Sequence, residues 1–246
     1  MRNVILVLIF LNLLSGQFES EYKEALALEK SNEDAKALMI FQQILEKDSN
    51  QTTALVHAAN LSTQLGVNAK DKDLMISYYF QGIDYAEKAM KVAPEYDEAY
   101  ISHARAYGRL ALISPTKQQL EMSFIIKKHV DKAVELNPNN DIAWHILGKW
   151  YYRFADLSWF ERTIAGIIYG EVPDASFEES KEAFKKALTI RPKGIAHLVE
   201  YAKACIELDQ IIEAKANLDQ AIAEPIVLST DNVYKREASY LLKELE

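Results

Sequence analysis

The stretches that decide the fold are WHILGKWY at residues 144–151 and FKKALTIRP at residues 184–192. The apolar residues of the first stretch recur three and four positions apart, which is the spacing of one helix face. Gly148 lies on that face and is expected to let a second helix approach closely. Pro192 ends the second helix, because proline cannot continue the helical hydrogen-bond ladder. The signature residues are Trp144, Leu147, Gly148, Tyr151, Phe184, Ala187 and Pro192.

These residues match the tetratricopeptide signature, in which large residues on one helix meet small residues on its partner. The small residue of the first helix recurs along the chain as Ala25, Ala58, Ala104, Gly148 and Ala202. The closing residue recurs as Ser49, Pro94, Pro138, Pro192 and Pro225. The sequence therefore predicts an all-α protein, a tetratricopeptide-like α-solenoid.

The spacing of these markers predicts the domain organisation. We expect a single tetratricopeptide-repeat domain over residues 18–246, with repeats at about 18–50, 51–96, 97–140, 141–194 and 195–228 and a cap at 229–246. The three central repeats are longer than the standard repeat. They predict lengthened central helices, and an extra short helix between Leu157 and Tyr169. A C-terminal capping helix would hide the apolar end of the stack.

Composition excludes several classes of protein. Only 8 Gly and 6 Pro in 246 residues argue against an all-β sandwich or barrel, which needs many turns. The net charge of −8 argues against general nucleic-acid binding, because phosphate contacts dominate that affinity. The sequence contains no phosphate-binding loop, nucleophile elbow or paired-histidine metal motif. We therefore expect a non-enzymatic protein with no cofactor and no metal site.

The N-terminus differs from the rest of the chain. Arg2 precedes an apolar run over residues 4–11, and Ser15 and Gly16 supply small residues after it. A positive start, a short apolar region and a small-residue exit are typical of a secretory signal peptide. We expect residues 1–17 to be that signal peptide and the protein to be secreted or periplasmic. The alternative is an N-terminal membrane anchor.

Residues 144–188 resemble the regulator of microtubule dynamics family. These residues contain an insert that generic tetratricopeptide proteins lack, which makes the resemblance specific. The residues that carry the resemblance are Trp144, Leu147, Gly148, Trp150, Tyr151, Arg153, Leu157, Ser158, Trp159, Gly170 and Pro173. The resemblance implies an all-helical interaction protein. It also implies microtubules as a partner, since animal members are associated with microtubules and spindle poles. One member tethers the endoplasmic reticulum to mitochondria through a repeat domain that binds phospholipid.

A ligand groove is predicted on the first helices of the repeats, which form the concave surface of such arrays. The predicted groove residues are Arg105, Arg109, His145, Lys149, Tyr152, Arg153 and Lys203. Stacked cations repel each other, and an anionic guest would relieve that repulsion. We therefore expect a protein or peptide partner of acidic character, such as an acidic tail, or a lipid headgroup. The alternative is that these cations are solvated and paired with nearby Glu and Asp.

The insert at residues 157–170 is rich in large apolar side chains. It could complete a core, line an apolar pocket or lie against a membrane. The residues predicted for an apolar pocket are Tyr78, Tyr79, Trp150, Trp159, Phe160, Ile164 and Ile167. Such a pocket would make the protein a phospholipid-binding, transfer or membrane-contact module, which is the alternative to a protein-binding scaffold.

Overall fold

The structure is a computed structural model that describes residues 18–158, 162–163, 166, 170, 172–228 and 230–246. Over these residues the regular secondary structure is helical, without strands, as the sequence predicts. The helices are α1 Glu19–Lys30, α2 Asp34–Lys47, α3 Thr52–Asn68, α4 Lys72–Val92, α5 Asp97–Ala111, α6 Thr116–Leu136, α7 Asp141–Ala155, α8 Phe177–Ile190, α9 Ile195–Glu207, α10 Ile211–Ala223 and α11 Asp231–Glu244.

The helices form two compact units, which divide between His129 and Val130. In the first unit α1 packs on α2, α2 on α3, α3 on α4 and α4 on α5. Phe41 and Ile44 of α2 are fully buried there, against the small residues Ala25 and Ala58. Small residues at these contacts allow antiparallel helices to approach closely, which is the packing that the repeat signature predicts.

The second unit is built on the same principle around Gly148. A Cβ atom on this glycine would lie 2.8 Å from the ring of Phe184, which is fully buried. The hydroxyl of Ser180 on α8 donates to the carbonyl of Gly148 on α7 over 2.9 Å. The predicted close approach of the two helices is therefore present, and an aromatic ring fills the space where a side chain is missing.

The lengthened central helices are observed, since α4 and α6 have 21 residues each whereas α2 and α8 have 14. A C-terminal helix, α11, packs against α9 and α10 as predicted for a cap. Most of the insert at 157–170 lies outside the described residues, so the extra helix stays a prediction. The division into five repeats within one domain also stays a prediction.

Candidate functional site

The second unit gathers charged side chains from three helices around one buried carboxylate. Glu200 of α9 is 3% exposed. Its carboxylate lies 2.8 Å from the amine of Lys149 on α7 and 3.1 Å from the amine of Lys203 on α9. The amine of Lys203 also lies 3.1 Å from the carboxylate of Glu237 on α11. We call these four residues, together with Tyr152, Arg153 and Glu207, the charged face.

The pKa values of these groups follow from burial and from each other. Burial disfavours the ionised form of Glu200, but Lys149 and Lys203 outweigh burial and hold the pKa of its carboxyl below the usual value. Burial also opposes the charge of Lys149 and of Lys203, yet Glu200 raises the pKa of both amines. All three groups are therefore ionised near neutral pH. Lys203 still repels Lys149, as the sequence suggested for stacked cations, but the Glu200 carboxylate between them outweighs this repulsion.

The remaining members of the charged face lie at the C-terminal ends of α7 and α9. The hydroxyl of Tyr152 donates to Glu207 over 2.9 Å, and the amine of Lys203 lies 5.7 Å from the centre of the Tyr152 ring. Burial and the Glu207 carboxylate raise the pKa of Tyr152. Arg153 keeps 63% of its side chain exposed, and its guanidinium lies 4.0 Å from the carboxylate of Asp156. Arg153 is therefore more accessible than either lysine of this face.

His145, also predicted for the groove, is part of a chain of four polar side chains. Its Nδ1 lies 2.9 Å from Nδ1 of His197, and Nε2 of His197 lies 2.9 Å from the carboxylate of Asp141. Arg191 lies 3.4 Å from the same carboxylate. The His197 hydrogen bond, against the effect of burial, lowers the pKa of Asp141. This chain joins α7 to α9, so His145 has a structural role whatever else it contacts.

The other two predicted groove residues, Arg105 and Arg109, lie four positions apart on α5 of the first unit and are exposed. The guanidinium of Arg105 donates to the side-chain oxygen of Asn60 on α3 over 3.5 Å. Arg109 is close enough to Tyr79 to act on its hydroxyl electrostatically. Each unit thus has one pair of cations four residues apart on a first helix, since Lys149 and Arg153 have the same spacing.

A histidine pair, with one ring buried and the other half-buried, also lies in the first unit. Nδ1 of His103 on α5 lies 2.6 Å from Nδ1 of His129 on α6, so one ring donates and the other accepts. Burial, with the neighbouring His129, lowers the pKa of His103 to about 3. Burial likewise lowers the pKa of His129. Both rings are therefore neutral at physiological pH.

The apolar pocket stays a prediction, and the structure describes three of its predicted residues, Tyr78, Tyr79 and Trp150. Tyr79 is buried against Ile83, Ala106 and Leu110 in the first unit, and Tyr78 beside it is half-buried. Trp150 is buried in the second unit, where its ring lies 4.5 Å from that of Phe154. The other four, Trp159, Phe160, Ile164 and Ile167, lie outside the described residues.

The sequence analysis allowed for pairing of the cations with nearby Glu and Asp as its alternative, but it named none of the acidic residues of the site. Glu200, Glu237 and Asp141 neutralise lysines or hold histidines, yet only their basic and imidazole partners were predicted. A signal was present for Glu200, because it is the one charged residue in the apolar run from Ile195 to Ala202. Within the described ranges, no three His, Cys, Asp or Glu side chains gather as a metal site would require.

The sequence of this chain is similar to those of the regulator of microtubule dynamics proteins. The family model described as regulator of microtubule dynamics protein 1-3 matches residues 21–246. The mouse regulator of microtubule dynamics protein 1 is 25% identical over 230 residues, covering 93% of this chain and 75% of the mouse protein. The Caenorhabditis elegans regulator of microtubule dynamics protein 1 is 30% identical over 183 residues, covering 74% of this chain and 79% of its own length.

Solved structures support the fold alone. A thermophilic tetratricopeptide protein from Thermus thermophilus superposes with a TM-score of 0.67 at 15% identity, covering 90% of this chain and 98% of that one. MamA from Desulfovibrio magneticus superposes with a TM-score of 0.52 at 13% identity, covering 83% of this chain and 93% of that one. These likenesses agree with the helical-repeat fold that the signature residues predict.

The comparison overturns the expected location. The matched relatives from mouse, cattle and Caenorhabditis elegans are named as regulators of microtubule dynamics. Microtubules are polymers of the cell interior, so the prediction of a signal peptide and of a secreted or periplasmic protein was wrong. Residues 1–17, on which it rested, lie outside the described residues. Among the described helices, none is both long and apolar enough to span a membrane.

Proposed function

The chain belongs to the regulator of microtubule dynamics family, and we propose that it is a non-enzymatic helical-repeat scaffold that binds an anionic protein segment. The observation that carries the proposal is the pair formed by Lys149 and Arg153. Half of the Lys149 side chain and 63% of the Arg153 side chain are exposed. Both residues lie on one face of α7, because they are four positions apart.

Glu200 restricts the conformation of the Lys149 side chain before such a partner binds. A lysine in a flexible conformation loses side-chain entropy when it binds an anion. The buried carboxylate already holds the Lys149 amine at 2.8 Å, so part of that loss has occurred before binding. A partner carboxylate can approach from the exposed side and share the amine, which has three donors.

Arg153 complements this fixed amine. Its planar guanidinium offers paired donors that match the two oxygens of a carboxylate or phosphate. The 4.0 Å contact with Asp156 is long and exposed, so it competes weakly with an incoming anion. Tyr152, between the two cations in sequence, adds a ring surface for apolar contact. These features favour an acidic peptide over a neutral one.

The first unit offers the same kind of pair in Arg105 and Arg109. We include it in the proposal as a second contact for an acidic segment. The names of the relatives suggest microtubules as the protein partner. The absence of a recognisable nucleophile, cofactor or metal motif in the sequence supports a role in binding and not in catalysis.

The test is titration of a fluorescent glutamate-rich peptide, at low and at high salt, into the wild-type protein and single charge reversals. Arg153→Glu and Arg105→Glu should each weaken binding about tenfold, because each replaces an attraction by a repulsion. Lys185→Glu is the matched control, since Lys185 is 61% exposed on α8 and lies away from both pairs in sequence. Equal affinity of all four proteins would refute the proposed binding face. Cosedimentation with microtubules then tests the partner.

Phospholipid is the alternative ligand, since a headgroup phosphate would also suit Lys149 and Arg153. A lipid needs an apolar cavity for its acyl chains as well. Of the three described members of the predicted pocket, Tyr79 and Trp150 pack inside protein cores and Tyr78 is half-buried. We therefore favour the peptide. Mass spectrometry of organic extracts of the purified protein discriminates the two ligands, because copurified phospholipid would favour the lipid alternative.

A further inference from the structure

The last helix of the second unit is covered on one side only. In α9, nine of 13 residues are buried. In α11, only Asp231 and Ala238 of its 14 residues are buried. Its inner face packs on α9 and α10 through half-buried apolar residues, and the amine of Lys235 donates to the carbonyl of Ile222. The opposite face of α11 is exposed, so α11 forms an end of the stacked helices of this unit.

This outer face is not the polar surface that usually ends a repeat array. Val233 is 54% exposed and Tyr240 is 61% exposed on it. The preceding loop adds Ile226, Val227 and Leu228, which are 53%, 80% and 46% exposed. Asp231 holds this loop against the first turn of α11, because its carboxylate accepts from the amides of Val227 and Leu228 at 2.8 and 2.7 Å.

Four residues form a stripe along this outer face, and two of them are charged. Val233, Arg236, Tyr240 and Glu244 are three or four positions apart, so they lie within about 80° of arc on one side of the helix. Arg236 and Glu244 are separated by about 12 Å along the axis, too far to pair within one chain. In the part of the chain that the structure describes, neither of them forms an ion pair.

The order of these charges is self-complementary. Arg236 lies four positions before Tyr240, and Glu244 lies four positions after it. When two such helices meet antiparallel about a twofold axis at Tyr240, each Arg236 faces Glu244 of the other copy. The two Tyr240 rings then meet at the axis, where aromatic rings stack favourably. A parallel arrangement would instead place like charges opposite each other.

We propose that α11 pairs with α11 of a second copy of this chain in an antiparallel, twofold-symmetric contact centred on Tyr240. One helix face and a short loop are smaller than the about 800 Å² per partner of a typical stable interface. The dimer is therefore weak and forms at micromolar concentration. The exposed apolar loop at 226–228 lies beside the start of α11 and extends the contact toward the C-terminal end of the other helix.

Sedimentation velocity of the full chain, from about 1 µM to about 100 µM, tests the proposal. The wild-type protein should shift from monomer to dimer over this range. Arg236→Glu and Glu244→Arg should each raise the dissociation constant at least about tenfold, because each places like charges across the axis. The double variant with both substitutions again places opposite charges across the axis, so it should recover the wild-type dissociation constant.

Lys185→Glu on α8 is the control for a charge reversal outside this face, and it should dimerise like the wild type. Circular dichroism of every variant should match the wild type, since these side chains are exposed. A wild-type protein that stays monomeric at all concentrations would overturn the proposal. The exposed face of α11 would then remain available to a helix of a different protein. Dimerisation unchanged by the single reversals, or not restored by the double variant, would also overturn it.

Discussion

The carboxylate of Glu200 lies 2.8 Å from the amine of Lys149, although the two residues are 51 positions apart in the chain. The contact joins α7 to α9, and Lys203 with Glu237 extends it to α11. Three alternate helices of the second unit are thus linked by alternating charges. The same residues that fix the helices in register also present Lys149 to the solvent.

Neutralising the buried carboxylate should destabilise the protein. Glu200→Gln leaves Lys149 and Lys203 near each other without the charge that balances them. We expect a loss of about 1–3 kcal/mol in the free energy of unfolding, less than for a fully buried pair because Lys149 can turn toward water. Urea unfolding followed by circular dichroism measures it. Glu182→Gln, in the exposed pair with Lys185, is the control and should show no measurable change. Equal stability of the two variants would contradict this account.

Two of the helical glycines, Gly148 and Gly108, should respond in opposite directions to alanine. A Cβ at Gly148 would lie 2.8 Å from three ring atoms of Phe184, which is fully buried. Gly148→Ala should therefore cost about 1–3 kcal/mol, as overpacking does. A Cβ at Gly108 meets no atom within 4 Å, so Gly108→Ala should add up to about 1 kcal/mol through helix propensity. Thermal unfolding of both variants decides the point, and a stabilised Gly148→Ala protein would refute it.

Acid should weaken the first unit through His103. Its pKa is about 3 in the folded protein, whereas an unfolded histidine has a pKa near the ordinary value of 6.5. Below that value the unfolded chain binds a proton that the folded chain does not, so stability is full above pH 6.5 and falls as the pH drops.

The effect of His103 is at most about 1.4 kcal/mol per pH unit between pH 6.5 and pH 5, before carboxylates titrate. His103→Gln keeps a hydrogen-bonding group near His129 but removes this titration. Free energies of unfolding at pH 7 and pH 5 should therefore differ less in the variant than in the wild type. Parallel pH dependence in the two proteins would show that His103 is not responsible.

The capping box of α8 should contribute measurably to stability. The Ser176 hydroxyl accepts from the amide of Glu179 at 3.1 Å, and the Glu179 carboxylate accepts from the amide of Ser176 at 3.0 Å. Ser176→Ala should cost about 1 kcal/mol in the free energy of unfolding, the usual cost of a lost N-cap. Ser77→Ala, at an exposed interior position of α4, should be neutral or slightly stabilising by propensity. Chemical denaturation of the pair tests the difference.

The helical repeats were predictable because their determinants are local. The small residues Ala25, Ala58, Ala104, Gly148 and Ala202 are all buried at helix contacts. Prolines such as Pro138 and Pro192 follow the ends of α6 and α8. Helix periodicity and chain breaks require only neighbouring residues, so one signature was enough to identify the fold. The acidic partners of the site were not predictable in this way, since counting along one helix does not show what the next helix brings.

By itself, therefore, the sequence determined the helical class, the signature contact at Gly148, the lengthened central helices and the family. Only the tertiary structure decided that Glu200 would separate Lys149 from Lys203, that His197 would join His145 to Asp141, and that Tyr79 and Trp150 would be core residues. The physical reason is the distance along the chain between the residues that determine each feature. A helix face is set by residues three and four apart, whereas an ion pair across 51 positions depends on the packing of every helix between its partners.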